Sequence, residues 1–120
     1  MASASQGFHE REDVLSAKTK DQHRALVSLQ EELEAWDWYQ QRVEATADPE
    51  LRRILEHNRD EEKEHAAMIV EWLRRSDLVW ARQLKLHVGH NGPIVREEEA
   101  EEAAGTYDPT GRAEKGGREP

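Results

Sequence analysis

The chain has 120 residues, of which 36% are charged and 6% aromatic, so one copy carries little apolar surface for a core and needs a staple, a metal or a second copy. There is no cysteine, which excludes a disulfide staple and fits a reducing compartment. The 26 acidic against 17 basic residues, a net charge of -9, argue against a nucleic-acid partner and admit a cation.

The opening MASASQGFHERED has no apolar stretch of the kind a secretory signal needs. No apolar run approaches the roughly 20 residues that span a bilayer, so neither export nor a membrane partner is expected. Residues 1–11 read as a flexible lead. From about Glu12 to Ala47 good helix formers run without Pro or Gly, which predicts a long helix. Asp48-Pro49-Glu50 reads as a break and restart, with Asp48 a cap, Pro49 in the first helical position and Glu50 at the positive end of the dipole. A second long helix is expected to about Arg75. Ser76-Asp77 caps a short third helix, which the stretch Gly89 to Pro93 ends. Residues 12–93 are thus one helical domain. Residues 94–120, with the run EEEAEE, read as an acidic, disordered tail. The fold class is all-α: an antiparallel two-helix hairpin plus a short C-terminal helix. A hairpin cannot bury an apolar stripe on both helices, so homodimerisation into a four-helix bundle is expected.

Leu51, Leu55, Asn58, Glu62, His65, Ile69 and Trp72 follow alternating steps of four and three on the second helix, a heptad seam. Leu29, Glu32, Trp36, Tyr39 and Val43 do the same on the first. Both seams are apolar at their ends and ionisable in the middle. With a turn at about Asp48, Glu32 lies 16 residues before it, Glu62 lies 14 after and His65 lies 17 after, so the three share one height. Burying two carboxylates and an imidazole costs several kcal/mol unless a partner compensates them. A divalent cation does so, and this donor set suits iron, manganese or zinc. Di-metal helical bundles take one Glu from each of two helices and Glu-x-x-His from each of the other two. One chain supplies Glu32 and the run Glu62-Lys63-Glu64-His65, half of such a site, which a two-fold dimer completes.

At EELEAWDWYQQR (Glu31 to Arg42), DPELRRILEHNRDEEKEHAAM (Asp48 to Met68) and EWLRR (Glu71 to Arg75) the chain resembles the encapsulated ferritins, over about His23 to Pro93. The resemblance implies a ferritin-like bundle of two hairpins, assembled further into a ring-shaped homodecamer. It implies a ferroxidase, oxidising Fe(II) to Fe(III) at a di-iron centre, in the cytoplasm inside an encapsulin nanocompartment whose shell stores the iron. Glu32, Glu62 and His65 match the ferroxidase ligands and Tyr39 the tyrosine beside them. Glu31 and Glu34 match carboxylates where metal enters, a place for calcium or another divalent cation. His57, Glu61 and Glu64 match a further, external metal patch. The end GTYDPTGRAEKGGREP shows no short Gly-Ser-Leu targeting peptide of the kind shell-loaded members carry.

Read from the residues alone, Glu62 and His65 also fit a solvated pair on a charged face, His65 a core imidazole bonded to a neighbouring carboxylate, Glu31 and Glu34 a solvated acidic face, and Tyr39, Trp36 and Trp72 packing. Trp38 is off the stripe and is a candidate for a second interface. His9, His23, His87 and His90 read as incidental. Two other functions stay open: a metal buffer or delivery protein without redox turnover, and a helical adaptor whose seams only dimerise. A zinc hydrolase fits less well, with one His per chain in a carboxylate-rich cluster.

Overall fold

The computed structural model describes residues 7–95. The first six residues of the lead, and the tail beyond Val95 including EEEAEE, lie outside the described residues. The elements are a 3-10 turn at Glu12–Val14 and three α-helices: α1 (Ala17–Ala45), α2 (Pro49–Ser76) and α3 (Leu78–His87). No strand occurs among the described residues, which are all-helical in keeping with the fold class read from the sequence.

Helix α1 starts five residues later than its composition implies. Ser16 is extended and its Oγ accepts the Thr19 N–H at 3.1 Å, so the cap takes the first-turn donor that a longer helix would have satisfied itself. At the other end the Thr46 N–H closes on the Arg42 carbonyl. Three residues then reverse the chain. The Asp48 carboxylate accepts from the Glu50 and Leu51 N–H groups at 2.9 and 3.3 Å, and Pro49 opens α2, where a missing N–H costs nothing.

The turn is braced from α2. Arg52 donates from Nη2 to the Thr46 carbonyl at 2.7 Å and from Nε to the Val43 carbonyl at 3.3 Å. A cation therefore satisfies the negative end of α1. Arg52→Met keeps the stem and removes both bonds. It is expected to cost about 1–2 kcal/mol, read as a lower urea midpoint at fixed chain concentration.

The described residues fall into two compact units, 7–70 and 71–95. In the first, α1 and most of α2 run antiparallel. Val43 is buried, and the seam residues Leu29, Tyr39, Leu55 and Ile69 are half-buried. Large apolar side chains of this unit remain open to solvent: Trp38 is 52% exposed, Ile54 53% and Met68 58%. In the second unit Leu73 and Leu86 are buried. The Asp77 side chain caps α3 by accepting from the Trp80 N–H at 2.9 Å. Gly89 (φ 81°) follows the C-cap in the left-handed conformation open to a residue without Cβ. The His90 Nε2 bonds to the Lys85 carbonyl at 2.7 Å and the His87 Nδ1 to that of Ile94 at 2.8 Å. These two histidines therefore fasten the end of α3 rather than being incidental. No helix among the described residues is long and apolar enough to cross a membrane.

Candidate metal centre

Glu32 enters from the middle of α1, while Glu62 and His65 stand one turn apart on α2. The hairpin brings them together, with one ligand atom of each lying within 4.8 Å of the others. The His65 Nδ1 is 3.3 Å from the Glu32 Oε2 and 3.6 Å from the Glu62 Oε2. All three side chains are part-covered and none is sealed off. They form the one group of three such donors among the described residues.

The electrostatics of the cluster show what it lacks. A hydrogen bond with Glu32 raises the Glu62 pKa above its ordinary value, with burial and the Glu32 charge acting the same way and His65 opposing. Two carboxylates facing one another hold a proton that either alone would release. His65 is also raised, chiefly by its bond to Glu32, while desolvation opposes. A divalent cation would compete with these protons, since its binding requires a neutral imidazole and ionised carboxylates. Two oxygens and one nitrogen fit a cation of the iron or manganese type, but they fill only part of its coordination shell.

The sign of the pH dependence follows. Both folded-state values are raised, so proton binding stabilises the metal-free hairpin at low pH. That contribution is lost as the pH rises through the raised values. The rise in melting temperature caused by added Mn2+ is therefore expected to grow between about pH 5 and about pH 8. Calorimetry with and without the ion reads this directly, and a shift independent of pH would place Mn2+ elsewhere.

The other residues singled out by sequence are placed differently. Tyr39 is half-buried and lies under the Arg42 guanidinium, 5.2 Å from its ring centre. Glu31 and Glu34 are exposed on α1. His57 and Glu61 pair at 2.9 Å on an open face of α2, with Glu64 exposed one turn further on.

Sequence reading missed a set of contacts that cross the hairpin beside the cluster. Arg59 Nη1 donates to the Gln40 Oε1 at 3.0 Å, and Lys63 Nζ lies 5.9 Å from the centre of a Trp36 ring. Arg59 and Lys63 stand four apart on α2, as do Gln40 and Trp36 on α1. The registry that aligned Glu32 with His65 would have found them, had long cations been credited with reaching across rather than into solvent.

The profile of the EncFtn-like family matches residues 7–91. An "Encapsulated ferritin-like protein" from Rhodospirillum rubrum is 56% identical over 103 residues, 86% of this chain and 74% of that one. A "Ferritin-like protein" from Thermotoga maritima is 49% identical over 104 residues, 87% and 90% of the two chains. The crystal structure of a protein from Nitrosomonas europaea is 54% identical, with a TM-score of 0.71 over 75% of this chain and 99% of that one. Together with the helical hairpin and its Glu/Glu/His cluster, these matches tie the chain to a ferritin-like, iron-related function. The chain belongs to the EncFtn-like family, the encapsulated ferritin-like proteins.

Proposed function

We propose that this chain is a ferroxidase that converts Fe(II) to Fe(III) at a di-iron carboxylate site shared by two copies. The observation that carries the reading is the convergence of Glu32, Glu62 and His65 within 4.8 Å. Three donors per chain are half of what two iron ions need, and a two-fold axis beside the cluster supplies the other half. The exposed large apolar residues of the hairpin, Trp38, Ile54 and Met68 among them, support association, because a second copy would cover side chains that one hairpin leaves in water. Further assembly of such dimers into a ring-shaped decamer belongs to the same proposal.

Iron is here the substrate. Glu32 and Glu62 hold it, with charge that suits the ferric product better than the ferrous reactant, so the site favours oxidation. His65 supplies a neutral nitrogen once its proton has left. Each ferrous ion gives one electron: with dioxygen as oxidant, two ferrous ions, one dioxygen and two protons give two ferric ions and one hydrogen peroxide, and a peroxide-level oxidant would instead take the two electrons and two protons to water. Tyr39 is proposed to stand beside the reacting metals. Glu31 and Glu34 gather cations, calcium included, where metal enters, and His57, Glu61 and Glu64 form a weaker external patch. The name of the Rhodospirillum rubrum relative supports encapsulation, and a location inside an encapsulin shell in the cytoplasm, with the shell holding the mineral, belongs to the same proposal.

Anaerobic titration with Fe(II), followed by admission of air, tests the reading when absorbance and mass by light scattering are recorded together. Oxidation at about two irons per pair of chains, in an assembly larger than one chain, is expected. Tight binding without oxidation would make the protein a metal carrier. No binding at all would leave a helical adaptor.

A further inference from the structure

Arg59 stands one turn before Glu62 on α2 with only 20% of its side chain exposed. Its three guanidinium nitrogens are all engaged. Nε and Nη2 donate to the two oxygens of Asp60 at 3.0 and 3.3 Å, and Nη1 donates to Gln40 on α1 at 3.0 Å. A guanidinium is planar, so a carboxylate gripping one edge fixes the direction of the nitrogen left over. Asp60 Oδ1 also accepts from Lys63 Nζ at 3.1 Å, and that ammonium lies over the Trp36 ring. One carboxylate thus orients two cations, and each reaches a different turn of α1. Glu62 lies between Arg59 and His65 on α2, while Trp36 and Gln40 follow Glu32 on α1 by one and two turns.

We infer that Asp60 is a positioning residue for the metal cluster: through Arg59–Gln40 and Lys63–Trp36 it fixes the α1–α2 register at which Glu32 meets Glu62 and His65. These two ties lie outside the ligand set and cross the hairpin beside it, so they hold the helices in register whether or not a cation is bound. Asp60 touches neither Glu32, Glu62 nor His65 in any hydrogen bond or ion pair of the described residues, so it acts through its two cations. The inference rests on the metal-binding part of the function proposed above.

The test uses the full-length assembled protein and Co2+, whose visible absorption reports both binding and ligand geometry without redox turnover. Asp60→Asn keeps the shape and removes the charge. It is expected to weaken Co2+ binding roughly fivefold, the scale of coupling between neighbouring contacts, and to alter the Co2+ band, with helicity and assembly mass unchanged. Gln40→Leu removes only the acceptor on α1 and should act in the same direction. Asp60→Asn combined with Gln40→Glu gives Arg59 a carboxylate on α1 and should restore affinity and band. Wild-type affinity and spectrum in both single variants would overturn the inference, as would a double variant no better than Asp60→Asn. If the wild-type protein itself took up no Co2+ at Glu32, Glu62 and His65, the metal-site reading would be rejected instead.

Discussion

Alanine in place of Glu32 or of His65 is expected to slow iron oxidation by at least roughly 100-fold, since even loss of a group that merely orients a ligand costs 10- to 100-fold. Symmetry makes the effect larger than a single-ligand loss: in a site shared by two copies, one substitution in the gene removes two donors from each centre. Stopped-flow absorbance after mixing with aerated Fe(II), at matched assembly mass, measures it. Wild-type rates in both variants would reject the ligand assignment. A second consequence separates function from folding. Glu62 holds its proton above the ordinary carboxylate range because Glu32 faces it, so the metal-free protein carries a repulsion that serves cation binding. Glu62→Gln removes that repulsion and should leave the metal-free protein at least as stable as wild type at pH 8 while abolishing oxidation. Such opposition of activity and stability is the mark of a built site.

Dilution is expected to abolish activity almost completely once the assembly has dissociated. A lone hairpin holds three donors, too few to keep two iron ions or to match the ferric charge. Specific activity should therefore fall in step with the fraction of chains in dimers or larger species, measured by mass photometry on the same dilution series. Constant specific activity down to a population of single chains would overturn the shared site. The same series tests the exposed Trp38, Ile54 and Met68 as association surface, because dissociation should shift the emission of tryptophans returned to water.

Much of the hairpin was legible because local chemistry and long-range packing agree there. Asp48, Pro49 and Glu50 each favour a restart, and the structure uses Asp48 as the cap. The convergence of Glu32 with Glu62 and His65 follows from counting away from that turn, since rise per residue is the same on both helices. The start of α1 was misread because propensity continues through Glu12 to Leu15, whereas a single hydroxyl, Ser16 Oγ, decides the boundary. His87 and His90 looked incidental because their partners are backbone carbonyls, which leave no pattern in side-chain spacing. His23 likewise meets the Phe8 ring, 4.8 Å between centres, a contact made when the lead folds back. Nothing in the spacing of Arg59, Asp60 and Lys63 sets them apart from a solvated charged face. What betrays them is the direction of a guanidinium plane, which no residue spacing encodes.

The three-residue turn between α1 and α2, clamped by Arg52 on Val43 and Thr46, leaves no slack in the hairpin. It follows that length changes in α2 ahead of Glu62 are quantised. One inserted residue would rotate Glu62 and His65 by roughly 100° and lift them about 1.5 Å relative to Glu32. Only a change of about seven residues restores the facing direction, and it then displaces the pair by roughly two turns along the axis. A compensating insertion in α1, on the same side of the turn-to-site segment, would be needed to bring the donors level again. Viable descendants of this chain should therefore differ between turn and site by paired, near-heptad steps or not at all, while the segments outside that span are free to vary in length.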